Sequence, residues 1–111
     1  MLPLTTGTRI FVALAPVDLR RGFDGLCAHV QGVLEREVLD GGLFVFTNRR
    51  HNRLRLLWWD GSGLWLATKR LEQNCFDWPA GEGAAVTLRP EQLTALMSGL
   101  IVQEKIGWYR R

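Results

Sequence analysis

The sequence predicts an α+β fold. It should be a single compact domain in which a mainly antiparallel sheet, a three-stranded meander plus flanking strands, packs against two helices. Three observations predict it. The chain has 111 residues, enough for one core and too few for two. Its apolar share of 47% and charged share of 23% are those of a globular chain. Two stretches carry apolar residues at a helical period, and the segments around them read as strands.

Thr8 to Leu14 is rich in β-branched and aromatic residues and stops short of Pro16, which predicts a strand. Phe23, Leu26, Cys27, Val30, Val33 and Leu34 then form one apolar stripe, predicting a helix from about Phe23 to Glu37. Gly25 and Gly32 weaken that helix by roughly 1 kcal/mol each relative to Ala, so packing must hold it. Asp40-Gly41-Gly42 breaks the chain. Strands follow at Leu43–Thr47, Arg53–Trp59 and Leu64–Leu71, joined by Asn48–Asn52 and by Asp60-Gly61-Ser62-Gly63. Setting Trp59 opposite Leu64 places Trp58 opposite Trp65, Leu56 opposite Ala67 and Arg53 opposite Arg70, with Trp58 and Trp65 as a core pair. Leu54, Leu56 and Trp58 point one way, and Phe44 and Phe46 are assigned to the same, wholly apolar face under the helix. The opposite face carries Leu57 and Trp59 near the Asp60 turn and arginines near the Asn48 loop, and a second layer is expected to cover Trp59. A slip of one residue would exchange the faces. Ala85–Leu88 is a short strand, and Pro90 opens a second helix with the stripe Leu93, Leu96, Met97 and Leu100, ending near Gly99. Residues 101–111 read as a flexible C-terminal tail.

The charge is uneven. Arg49, Arg50, Arg53 and Arg55 fall within the nine residues Thr47–Arg55, which hold no carboxylate; the other 102 residues sum to −1. Twelve of the fourteen basic residues are arginine, whose planar fork suits phosphate oxygens and stacks on bases. A condensed basic patch is the footprint of a polyanion partner. A solvated, charged hairpin tip would carry the same residues, and a GC-rich genome would give the same arginine excess.

Catalytic motifs are missing. Asp60 is explained by its turn and Asp24 by a helix start. His51-Asn52 resembles a fragment of a His/Asn nuclease motif, but His29 lies on the helix at the wrong spacing. No phosphate-cradling Gly-rich loop or acyl-transfer elbow occurs, and Ser62 lacks a base. Cys27 and Cys75 have no metal-ligand spacing and read as reduced thiols. No stretch approaches the roughly 18 apolar residues of a membrane span, and the first residues lack a signal peptide's pattern, so a cytoplasmic protein is expected. Neither a cofactor nor a metal is expected.

Several segments together resemble a known family. They are Val17-Asp18-Leu19-Arg20-Arg21-Gly22-Phe23-Asp24-Gly25-Leu26, Gly42-Leu43-Phe44-Val45-Phe46-Thr47-Asn48-Arg49-Arg50 and Leu56-Leu57-Trp58-Trp59-Asp60-Gly61. Thr68-Lys69-Arg70-Leu71-Glu72, Phe76-Asp77-Trp78-Pro79 and Pro90-Glu91-Gln92-Leu93 continue the series. In this order they are similar to the TnpB accessory protein (second open reading frame) of the insertion-sequence sixty-six family of bacterial transposable elements. The resemblance runs from about Leu4 to Gly99. It implies a small protein encoded beside a separate DDE-type transposase and a further accessory protein, and needed for efficient transposition. It assigns no activity to particular residues. The expectation is therefore a non-catalytic accessory factor contacting element-end DNA through Arg49, Arg50, Arg53, Arg55 and Arg70, with Lys69, Arg20 and Arg21 contributing. The alternative is a module that binds the transposase or companion protein without touching DNA, and a homo-oligomer is left open. A metal-dependent nuclease ranks last.

Overall fold

A computed structural model describes residues 4–5 and 7–99. Its elements run β1 (Ile10–Ala13), α1 (Phe23–Gly32), a 3-10 turn (Val38–Asp40), β2 (Leu43–Thr47), β3 (Arg53–Trp59), β4 (Leu64–Arg70), β5 (Ala85–Leu88) and α2 (Pro90–Ser98). One five-stranded sheet has the order β4-β3-β2-β1-β5. The meander β2-β3-β4 is antiparallel, and β5 is antiparallel to β1. β1 and β2, however, are parallel neighbours, with Ile10 opposite Leu43 and Val12 opposite Val45. The sheet is thus mixed and mostly antiparallel, and α1 is the crossover that parallel pairing requires.

Each face of the sheet is covered. α1 sets Leu26 and Val30 on Phe11, Ala13, Phe44, Phe46 and Leu57. α2 sets Leu93 and Leu96 on Ile10, Val12, Leu43, Val45, Leu54, Leu56 and Trp58, joined by Phe76 and Trp78 from the β4–β5 connection. The assignment of Phe44 and Phe46 to the Leu54 face is therefore overturned. Phe44 lies opposite Leu57 and Phe46 opposite Arg55, so both phenylalanines face α1. A strand buried on both sides reads as a continuous apolar run, and alternation then gives no parity. The turn sets parity instead, through Asn48 Oδ1, which accepts the backbone amides of Asn52 and Arg53 at 3.1 Å each.

The β3–β4 register agrees with expectation in every pair, from Trp59 opposite Leu64 to Arg53 opposite Arg70. Trp58 and Trp65 stack with ring centroids 5.7 Å apart. Trp65 is nevertheless 49% exposed. β4 is the edge of the sheet, and only the inner tryptophan belongs to the core. Trp59 is partly buried in the layer beneath α1, as the second-layer argument expects.

The first helix stops at Gly32, five residues before the expected Glu37. Glu35 adopts φ +58 and Val33 is half exposed, so of the stripe's last two members only Leu34 packs against the core. Gly25, which weakens the helix, has a packing reason: a Cβ there would stand 2.8 Å from Cβ of Arg21. α2 opens with Pro90 in its first turn, and Gln92 Oε1 accepts the Arg89 amide at 2.9 Å. It ends at Gly99 in the left-handed region, φ +77. Leu100 and the expected tail at 101–111 lie outside the described residues.

Candidate nucleic-acid interface

Parallel neighbours end on the same side of a sheet. The loop that leaves β1 and the tip that leaves β2 are therefore brought together, and the Val17 amide donates to the Thr47 carbonyl at 2.9 Å. Between them runs a groove. One part, about 440 Å³, is lined by Pro16, Val17, Asp18, Leu19, Arg20, Asn48, Arg49 and Arg50. A second part, about 350 Å³, shares Asp18, Leu19, Arg20, Asn48 and Arg50 and extends to Asn52, Arg53 and Arg55. Arg20, Arg49, Arg50, Arg53 and Arg55 thus line one depression, and Asp18 is the single carboxylate among its lining residues.

The β2–β3 tip is held from several sides. Asn48 Nδ2 donates to Asn52 Oδ1 at 2.7 Å, and the hydroxyl of Thr47, a fully buried side chain, donates to the Arg53 carbonyl at 2.8 Å. His51 takes a left-handed conformation, φ +58, and its ring stacks on Trp78 at 6.1 Å. Its carbonyl accepts the Phe76 amide at 2.6 Å, and the Asn52 carbonyl accepts the Leu71 amide at 2.9 Å. The β4–β5 connection therefore clamps the tip from the side opposite α1. Arg49 and Arg50 project into solvent from a backbone that is already fixed, so ordering it costs little when a ligand arrives.

The expected arginines differ in their surroundings. Arg49, Arg50 and Arg53 are exposed. Arg55 is half-buried; its Nη1 donates to the Arg21 carbonyl at 3.0 Å, and its buried Nε has no partner. Arg20 pairs with Asp18 at 2.9 Å and also donates its backbone amide to that carboxylate at 3.0 Å. The Arg20 side chain, followed by its amide, holds the Asp18 carboxyl at about 2, well below its ordinary value. Five guanidinium groups against one paired carboxylate leave the groove strongly positive.

The other expected contributors lie outside the groove's lining. Arg21 supplies a carbonyl to Arg55 while its side chain passes over Gly25. Arg70 sits on the Arg53 side of β4 and pairs with Glu72 at 3.1 Å. Lys69 points to the opposite face, where its ammonium donates to the Met97 carbonyl near the C-terminal end of α2 at 2.9 Å. That contact suits the helix dipole and gives Lys69 a structural use. What sequence reasoning did not find was the partnership between Arg20 and the tip, or the organising role of Asn48. The signal lay in the strand–helix–strand order of the first 47 residues, which favours a parallel pair.

His29 and Cys27 lie outside the groove's lining. His29 packs edge-on against Phe46 at 5.8 Å, and burial, with Arg21 nearby, lowers its pKa. Burial pushes the Cys27 thiol up, away from the thiolate. Among the described residues no three His, Cys, Asp or Glu side chains are grouped to hold a metal. Nor, among them, is any helix long and apolar enough to cross a membrane.

A family model described as IS66 Orf2 like protein matches residues 8–106. Two relatives from Sinorhizobium fredii (strain NBRC 101917 / NGR234) are described as uncharacterized proteins y4hO and y4jC. They are 44% and 43% identical to this chain over 100 residues, covering 90% of it and 87% and 86% of their own lengths. No solved structure matches the chain.

Proposed function

The chain belongs to the IS66 Orf2-like family, a family of transposition accessory proteins, and we propose that it serves as a non-catalytic factor gripping DNA phosphates in its arginine groove. The observation that carries this reading is the convergence of Arg20, Arg49, Arg50, Arg53 and Arg55 on one depression beside a clamped hairpin tip. Guanidinium forks match phosphate oxygens in geometry and charge. Among the described residues neither helix lines the groove, so the contacts go to the phosphate backbone, giving affinity with little sequence preference. Arg21 and Arg70 lie outside the groove as secondary contacts, and Lys69 contributes least because it serves α2.

Gel-shift titration against salt on element-end DNA tests the proposal. Wild type binds at low salt and weakens linearly as the logarithm of salt rises. The Arg49→Ala/Arg50→Ala/Arg53→Ala variant loses affinity and has a slope shallower by about 2 to 3, each lost phosphate contact removing about 0.9. Absence of a shift at low salt, or superimposable curves for the two proteins, would remove the reading. The same guanidinium forks also fit carboxylates, which favours a second reading: a module that docks an acidic face of the transposase or companion protein. A pull-down that survives nuclease treatment, together with no DNA shift, selects that one.

A further inference from the structure

We propose that β4 is the docking edge for a second copy of this chain, and that two copies join their sheets antiparallel about Ala67. Among the described residues β4 pairs on one side only, with β3. It is seven residues long, with no proline and no charge between Leu64 and Thr68. Long uncharged edges are ordinarily shortened, charged or covered. The opposite edge, β5, is only four residues long. Near the start of β4, Trp65 leaves half its surface in solvent beside a hollow of about 290 Å³ lined by Leu54, Leu56, Trp58, Ala67 and Met97 among others.

The occupant follows from the charge pattern. One end of β4 is acidic and aromatic: Asp60 Oδ2 accepts the Trp65 indole N–H at 2.7 Å. The other end is basic, with Lys69, whose exposed ammonium rests on the Met97 carbonyl of its own chain, and Arg70, which pairs with Glu72. A strand with opposite characters at its two ends is complementary to an antiparallel copy of itself. Seven residues pair with seven only when the two-fold axis passes at Ala67. Lys69 then lies opposite the other copy's Trp65 and near its Asp60, Arg70 opposite Leu64, and Thr68 opposite Leu66. Cation–π contact and opposite charge both favour this arrangement. A parallel pairing in register would instead set lysine against lysine and arginine against arginine. The isologous arrangement closes on itself as a dimer. It does not depend on DNA binding, since a monomer with the same groove could hold phosphate.

Sedimentation equilibrium of the full chain, with circular dichroism to verify folding, tests the proposal. Wild type should sediment at twice 12.6 kDa. Trp65→Lys and Trp65→Glu lose the same indole but oppose Lys69 with different signs. The lysine variant should dimerise about tenfold or more weakly than the glutamate variant, two like-charged cross-strand pairs replacing two opposite ones. Hydrogen exchange on wild type gives an independent reading, in which the β4 amides that point away from β3 become more protected as protein concentration rises. A wild type that stays monomeric at high micromolar concentration overturns the proposal. So do equal dimerisation by the two variants and β4 protection that ignores concentration, the latter because the chain would then be covering its own edge.

Discussion

Asp60 accepts from four donors at once. Its Oδ1 receives the amides of Ser62 and Gly63 at 2.9 Å each and the Ser62 hydroxyl at 3.1 Å, while Oδ2 receives the Trp65 indole. The Ser62 amide, then the Trp65 indole and the Gly63 amide, hold its carboxyl at about 2, below its ordinary 3.8. A carboxylate lowered in this way adds stability that is complete above its unfolded value and is lost as pH falls through its folded value. The melting temperature of wild type should therefore exceed that of Asp60→Asn by a constant margin above about pH 4. The margin should shrink between about pH 4 and pH 2. A gap that holds steady through that window would mean that the charge of Asp60 contributes nothing. Asp18, held low by Arg20, follows the same acid window in wild type and in the Asp60→Asn variant alike.

At the scale of elements, the hairpin between β2 and β3 decides which residues share a layer. Phe46 faces α1 and meets the His29 ring edge-on at 5.8 Å. Double-mutant cycles should find Phe46→Ala coupled to His29→Ala by about 0.5–1.5 kcal/mol, and uncoupled from Leu93→Ala on the far face. Coupling to Leu93 instead would restore the other register. The strands themselves were legible: β2, β3 and β5 begin and end where their residues predict, and the Asp60 amide, donating to the Gly63 carbonyl, closes the next hairpin. Register across β2–β3 was not legible, because Leu43-Phe44-Val45-Phe46 is buried on both sides and offers no polar phase marker. The early end of α1 was equally hidden, since Val33 and Leu34 continue the apolar period although Val33 faces solvent. Four of the groove's arginines were legible as a cluster in the chain. Arg20 was legible only as a residue, because its approach to the tip depends on the parallel pair.

The whole molecule is three layers, with α1 and α2 on opposite sides of one sheet. Leu26 and Leu93, each with no exposed surface, anchor the two helices in separate clusters. Truncating either to alanine should cost about 2–5 kcal/mol in denaturant unfolding, and the two losses should add to within about 0.5 kcal/mol. Strong non-additivity would show that the layers rearrange together. This layering also leaves little broad surface for contact. With both sides roofed, partners meet the protein at its perimeter, through a hairpin end or a strand margin, where the footprint per molecule is small. A firm hold on a long polymer then comes from many weak grips acting together, so occupancy should rise steeply with the number of protomers tethered in one assembly.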